Sequence, residues 1–439
     1  MKRTLILVAA AVAALAPAAA AQPAPTTYSL QQCLAMAFTQ SPDLAKAGSN
    51  LAVSTAGLVS SIGGMLPHVT ASSSYSQSGR TASANPLLTL NDSLPTYESV
   101  TNSYSSSVGV SQTLVNLPVW SRIGQSAYSR RAAGATYDLA RATLSYNVKQ
   151  AYYNLVKLQK ALRVSQAAVD QSEQQARQAR LMNQLGSMSR ADLLKIEVQL
   201  TQSKVNLLNA RTALISGQQA LATLIGTTAE VAADTILALP DTARAIPQRD
   251  TLMRRALEVN PSYVAARNSY RAAALGAWSS LTSKLPSLSG SYSYGYSNYR
   301  QYRDPADWNL HDGWTVGLSL NWNIFDGFIT EAGIRQAFAQ KSSARADLFT
   351  AQQNVASQID QAHLGLITAR EGLSLVGTLL QQAEEDYRLT SEKYRLGSAS
   401  VLDLLTSQVT FNTAQQTATN AICDYYLAEA RLQQVMGQW

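Results

Sequence analysis

Hydrophobic positions along this chain keep helical spacing, switch to strict alternation, then return to helical spacing, and the whole sequence of changes occurs twice. Each half opens with a short helical segment, around Leu30 to Phe38 and Thr251 to Val259. Ser41-Pro42 or Asn260-Pro261 follows, an N-cap residue with proline at the first helical position, so a helix starts there in both halves. It stops before Leu66-Pro67 or Leu285-Pro286. The period then becomes two. Trp314, Val316, Leu318, Leu320, Trp322 and Ile324 alternate with Thr315, Gly317, Ser319, Asn321 and Asn323, while Tyr292, Tyr294 and Tyr296 alternate with serines and Gly295. Weaker copies run from His68 to Ser78 and from Ser103 to Leu114. The Trp314–Ile324 segment has the ~9–11 residues of a tilted membrane strand, with an apolar face, a small polar face and aromatic ends.

Beyond each hairpin the helical period resumes without breakers, from about Val119 to Gln184 and from Phe328 to Arg395. At ~1.5 Å per residue these segments reach roughly 100 Å. Each chain segment then turns back into a shorter helix, Arg190 to Gly226 or Val401 to Gly437. Leu193, Leu200, Leu207, Leu214 and Leu221 sit seven apart in the first, with Leu404, Phe411, Ala418, Tyr425 and Leu432 as their copy. That repeat is a coiled-coil seam.

The duplication is visible residue by residue. Leu185-Gly-Ser-Met-Ser-Arg-Ala-Asp-Leu-Leu194 returns as Leu396-Gly-Ser-Ala-Ser-Val-Leu-Asp-Leu-Leu405. Residues 22–226 and 251–439 therefore read as two tandem structural repeats. Their hairpins fall at about 68–115 and 287–325, their tips at 185–192 and 396–403, and an irregular equatorial linker occupies 227–250. Ser189 with Asp192, and Ser400 with Asp403, are N-cap and N3 pairs. Gly186 and Gly397 are expected in the left-handed conformation that ends a helix.

Residues 1–21 carry Lys2-Arg3, an apolar run and Ala19-Ala20-Ala21, a secretory signal peptide. With it removed, the formal charge falls from +7 to +5, and the remaining basic residues are scattered, which excludes a nucleic-acid stripe. Cys33 and Cys423 are expected to be buried free thiols. No apolar run in the mature chain reaches the ~20 residues of a membrane helix, so membrane entry has to be by β-barrel. Four strands cannot close alone, and an unpaired edge in lipid is costly, so chains must share a barrel. His68, His311 and His363 are far apart, no metal set or catalytic triad is spaced for chemistry, and no phosphate loop is present. The chain reads as no enzyme, with no cofactor and no metal.

The ordered set of signal, Ser/Asn-Pro helix start, Leu-Pro before a hairpin, Ile324-Phe-Asp-Gly327, long helix and Leu-Gly-x-x-Ser-x-x-Asp-Leu-Leu tip, given twice, resembles the TolC-like outer-membrane efflux family. The resemblance implies a mostly α protein with a membrane β-barrel: a homotrimer with one 12-stranded barrel in outer-membrane lipid, continued by a long α-helical coiled-coil barrel across the periplasm. It implies a passive exit duct of a tripartite efflux pump, docked by a periplasmic adaptor (membrane fusion protein) and fed by an inner-membrane pump of RND or ABC type. It further implies that Tyr394 and Asp192 help hold the tip shut and that Asp403 lines the constriction, with Thr406 where the family has a second ring aspartate and Ala399 where it has an arginine. Leu185, Gly186, Ser187, Leu396, Gly397 and Ser398 would contact the adaptor. Trp314, Val316, Leu318, Leu320 and Trp322 would face lipid. The alternatives are the exit duct of a type I protein secretion system, and, against the strand evidence, a periplasmic adaptor or a structural envelope spacer.

Overall fold

The computed structural model describes residues 26–82, 97–235, 240, 245–301 and 311–438. The signal segment 1–21 lies outside them, as does part of the 227–250 linker. In chain order the elements are β1 (Thr26–Tyr28), α1 (Leu30–Gln40), α2 (Pro42–Gly63), β2 (His68–Ala82), β3 (Tyr97–Val115), α3 (Leu117–Gln184) and α4 (Arg190–Ile225). The second set is β4 (Val231–Ala233), α5 (Arg249–Val259), α6 (Pro261–Thr282), β5 (Ser287–Gln301), β6 (His311–Asn321), α7 (Ile329–Arg395) and α8 (Val401–Val435). No helix among the described residues is long and apolar enough to cross a membrane.

The described residues group into two compact units. The first holds residues up to Lys46, Asp138–Asn260 and those from Asn354 onward. Its core lies along α3, where Val148, Tyr152, Leu155 and Val156 are buried at helical spacing with Leu221 and Ile225 of α4 and Val231 of β4. Val355, Ile359, Ala362 and Leu366 make the equivalent stripe on α7. Tyr153 stacks on Tyr426 of α8, and Tyr387 of α7 stacks on Phe411. The expected α4 seam faces inward, with Leu193, Leu207 and Leu221 buried and Leu200 and Leu214 half-buried. Its α8 copy is shallower: Leu404 is buried, and Phe411, Ala418, Tyr425 and Leu432 are half-buried. Parallel pairing of β1 with β4 closes this unit. Asn260 does more than start a helix, because its amide donates to the Val435 carbonyl at 2.7 Å. Cys33 and Cys423 are buried free thiols, each pushed up to about 11 by burial.

The second unit holds Ala47–Tyr137 and Pro261–Gln353, built on one antiparallel sheet of order β2-β3-β5-β6. The two faces of this sheet differ sharply in chemistry. Ser72, Ser74 and Ser76 pair with Ser107, Ser105 and Ser103, hydroxyl to hydroxyl at 3.1, 2.8 and 2.6 Å. The register continues this face through Ser289, Ser291, Ser293 and Ser297 of β5 and Thr315, Gly317 and Ser319 of β6. The opposite face carries Val69, Tyr75, Val108, Val110, Tyr292, Tyr294, Tyr296, Trp314, Val316, Leu318 and Leu320. Period-two side-chain direction makes this separation automatic once register is set.

The strands do not end where alternation alone puts them. β2 and β3 run past Ser78 and begin before Ser103. β6 spans His311–Asn321 and not Trp314–Ile324. Its last pair is Ser287 with Asn321, and the next would set Trp322 against Pro286, which has no N–H to give. Trp322 thus lies just outside the ladder, its indole N–H donating to the Lys284 carbonyl at 3.1 Å. Gly327 and Phe328 then take φ of 69° each, turning the chain into α7. Asp326 accepts from the Thr330 N–H at 3.0 Å and its hydroxyl at 2.5 Å, offsetting the cost of a left-handed phenylalanine.

Candidate functional site at the hairpin tips

Both tips are built by one local mechanism. α3 ends with Gly186 at φ 74°, its N–H donating to the Asn183 carbonyl and that of Ser187 to the Met182 carbonyl, a Schellman closure. α7 ends identically at Gly397, φ 75°, with Gly397 bonded to Tyr394 and Ser398 to Lys393. Ser187 and Ser398 add a hydroxyl bond to those same Met182 and Lys393 carbonyls. Leu185 and Leu396 are left 83% and 76% exposed, apolar side chains at the extreme of each turn. A Cβ at Gly186 or Gly397 meets nothing within 4 Å, so only the left-handed backbone resists substitution. Gly397→Ala should therefore cost about 1–2 kcal/mol with no steric penalty, read as a lowered unfolding temperature of the tip. A loss several-fold larger would show that another contact holds this glycine.

The return helices start on the expected caps. Ser400 and Asp403 form the full reciprocal box: the Asp403 N–H donates to Ser400 Oγ at 3.1 Å, and the Ser400 N–H donates to Asp403 Oδ2 at 3.0 Å. At Ser189 only half forms, the Asp192 N–H donating to Ser189 Oγ at 3.0 Å. The Asp192 carboxylate takes its bonds from the Ser189 hydroxyl at 2.7 Å and Lys195 Nζ at 3.0 Å. These partners hold both carboxyls below the ordinary carboxylate value: at Asp192 the Ser189 and Lys195 bonds, at Asp403 the Ser400 hydroxyl and then its N–H. A depressed pKa stabilises the folded tip fully above the ordinary 3.8 and loses that stabilisation as pH falls below it. Amide exchange at Asp192 and Asp403, corrected for intrinsic rate, should accelerate only on acidification below about pH 4. Acceleration already between pH 7 and 5 would contradict the cap assignment.

The two hairpins meet immediately above. Ala176 and Ala179 of α3, Leu193 and Ile196 of α4 and Val401 of α8 form a buried apolar cluster, with Met188, Leu200, Leu405 and Tyr394 packed against it. Tyr394 is thereby brought to the first hairpin, and its phenol pKa is raised, by burial first and by the Asp192 charge second. Asp403 and Thr406 share an exposed face of α8, three residues apart; the Thr406 carbonyl accepts from the Thr410 hydroxyl at 2.9 Å.

A polar layer that the sequence did not signal lies next to this cluster. Gln175 of α3 donates to Gln408 of α8 at 3.0 Å, leaving Gln175 Oε1 and Gln408 Nε2 buried without partners. Gln171 bonds to the Tyr387 hydroxyl, and Ser172 to Ser203 at 3.2 Å. Removing only one amide, as in Gln408→Leu, strands Gln175, whereas replacing both restores a matched apolar layer. Gln408→Leu should destabilise by about 1–3 kcal/mol and Gln175→Leu/Gln408→Leu by less, measured by urea unfolding. A double variant worse than the single one would show that the pair stabilises the joint.

The membrane-strand candidates sit on the sheet of the second unit. Trp314, Val316, Leu318 and Leu320 share its exposed apolar face; Trp322 is placed past the strand end.

Comparison with known proteins agrees with this architecture. The family model described as outer membrane efflux protein matches the chain twice, over residues 33–227 and 252–438. Outer membrane protein TolC of Vibrio cholerae is 23% identical over 343 residues, 76% of either chain. The outer membrane channel CmeC of Campylobacter jejuni superposes with a TM-score of 0.79 at 18% identity, covering 93% of this chain and 85% of that one. The MtrE outer membrane channel of Neisseria gonorrhoeae, solved in its open state, gives 0.77 at 19% identity, covering 93% and 89%. A mostly helical chain of two matching repeats, carrying a two-faced sheet and paired helical hairpins, thus belongs to the outer membrane efflux protein family, the channels through which Gram-negative cells export across the outer membrane.

Proposed function

We propose that three copies of this chain share one closed 12-stranded barrel and form the passive exit duct of a tripartite efflux pump. The observation that carries this is the sheet: among the described residues β2 and β6 each pair on one side only, while one sheet face is hydroxyl-lined and the other is mostly apolar, with Ser73, Ser106 and Asp312 among its aromatic and aliphatic residues. Open edges at membrane depth need partners, and copies of the same chain supply them by symmetry. The hydroxyl face then lines a water-filled lumen, and Trp314, Val316, Leu318 and Leu320 meet lipid. Exposed Leu194, Val198, Val205, Leu208 and Ile215 run along α4 at steps of three, four and seven, a second seam for a neighbouring chain.

At the tip, the Tyr394 cluster holds the two hairpins of a chain together, Asp403 and Thr406 line the constriction, and the exposed Leu185-Gly186-Ser187 and Leu396-Gly397-Ser398 turns dock a periplasmic adaptor. The adaptor opens the tip by binding its open arrangement better. An inner-membrane pump of RND or ABC type supplies the energy.

The deciding experiment is planar-bilayer conductance of the purified oligomer together with its mass. A trimer with small steps that enlarge on adding the adaptor supports the reading. A non-conducting oligomer, or one whose mass is not three chains, ends it.

A further inference from the structure

In the second unit, α2, the first turns of α3 and α6 lie side by side below the sheet. Ser61 of α2 bonds to Ser126 at 2.7 Å, and Arg130 donates to Thr55 at 3.2 Å. On the other flank, Ser279 donates to the Pro118 carbonyl at 3.1 Å, and Gly124 faces Leu275 so closely that a Cβ would stand 2.9 Å from its methyl. α3 is therefore flanked on two sides, and α3 and α6 keep a free face each. From residue 47 to the end of α2, from Leu117 to Tyr137, and throughout α6 there is no aspartate or glutamate, yet there are five arginines.

Three of these arginines converge. Arg131 lies over the Tyr128 ring at 5.0 Å and Arg271 over the same ring at 5.7 Å, one guanidinium from each helix. Arg267, one turn from Arg271, lies over Tyr263 at 5.8 Å and leaves its Nε buried without a partner. Among the described residues none of the three makes an ion pair. Their helix faces also carry the tryptophans nearest the sheet: Trp120 is eleven residues from Arg131, and Trp278 is seven from Arg271 and eleven from Arg267, all same-face spacings. Trp120 and Trp278 are 61% and 55% exposed. At a different helical phase α6 carries Ser262, Ser269 and Ser280, and α3 carries Arg122, Ser129 and Thr136.

We infer that Arg131, Arg271 and Arg267 form a binding surface for anionic phospholipid headgroups on the periplasmic leaflet of the outer membrane. The inference rests on the lipid-facing reading of the sheet and extends it from the acyl chains to the headgroup. Apolar strand, tryptophan, then arginine is the order in which a bilayer presents hydrocarbon, interface and headgroup charge. Two turns, about 10 Å, separate Trp278 from Arg271. The Arg131 side chain leans toward the N-terminus of α3, back toward that interface. Among the described residues the three guanidiniums make no ion pair, and Asp138, seven residues past Arg131 on α3, is the nearest carboxylate in sequence. The cluster therefore draws anions from outside, and the tryptophans at same-face spacing select lipid.

The test is quenching of tryptophan fluorescence in bilayers that mix phosphatidylcholine with brominated phosphatidylglycerol, and the reverse. Wild type should prefer the anionic lipid by about fivefold per arginine, falling as salt rises. Arg131→Gln/Arg271→Gln should lose the preference, and Arg131→Lys/Arg271→Lys should keep most of it. If the glutamine pair does not assemble, the lysine pair and the salt titration of wild type decide. Quenching that follows bulk composition in wild type, or a preference unchanged in the glutamine pair, overturns the inference while leaving the lipid-facing sheet intact. Absence of quenching by either lipid overturns both. If the glutamine pair instead loses only its binding to purified peptidoglycan sacculi, the partner is cell wall and the lipid assignment fails.

Discussion

Leu318→Arg should abolish assembly of the outer-membrane oligomer, while Ser319→Arg, one residue along the same strand, should assemble and shift ion selectivity toward anions. Leu318 is 73% exposed on the apolar face, near the middle of the band between Trp314 and Trp322, and its methyl covers Gly290 of the neighbouring strand. In the proposed trimer, arginine near mid-membrane costs about 2–4 kcal/mol in each of three chains. Ser319 pairs with Ser289 on the hydroxyl face, where in the proposed barrel a charge meets water and only alters the lumen. Membrane fractionation with heat-resistant oligomer as the readout separates the two. Equal tolerance of both substitutions would mean that the two faces do not part lipid from water, and the barrel would fall with them.

Much of this was legible because it depends on local rules. The Gly186 and Gly397 turns, the Ser189 and Ser400 caps and the Leu193–Leu221 seam each need only residue type at fixed spacing, and each is found where spacing puts it. What escaped depends on partners distant in sequence. The extra strand length in β2 and β3 is a run of Ser, Thr, Asn and Gly that alternates without hydrophobic contrast, so nothing marked its ends. The β6 boundary is set by Pro286, 35 residues before Asn321, through a hydrogen bond that proline cannot give. Gln175 and Gln408 lie 233 residues apart and read as ordinary polar helix positions until the fold buries them together.

The tip combines both kinds of information. Each hairpin turn is closed locally by its left-handed glycine and its N-cap serine, so opening the proposed duct by melting the turns is costly. The joint between hairpins is different in kind: a small apolar cluster beside an amide layer with two unsatisfied atoms. An opening motion that keeps each hairpin intact and slides one past the other breaks the fewest strong contacts. That places the sensitive residue at the joint and not in the turns.

Tyr394→Ala should therefore open the duct. The ring packs against Ala176, Ala179, Leu193, Ile196 and Val401, and its removal from this half-buried position should cost about 2 kcal/mol of joint stability per chain. In the proposed trimer, three chains opening together multiply this to about 6 kcal/mol, and a shift of about 5.5 kcal/mol is enough to turn a 99:1 closed population into its inverse. Single-channel steps should enlarge several-fold without adaptor, and the open fraction should become insensitive to adding it. Tyr394→Phe keeps the ring and should change conductance much less, because packing carries more of the joint than the hydroxyl does. If Phe opens the duct as far as Ala, the phenol and its link to the Asp192 charge hold the gate, and the apolar cluster only positions it.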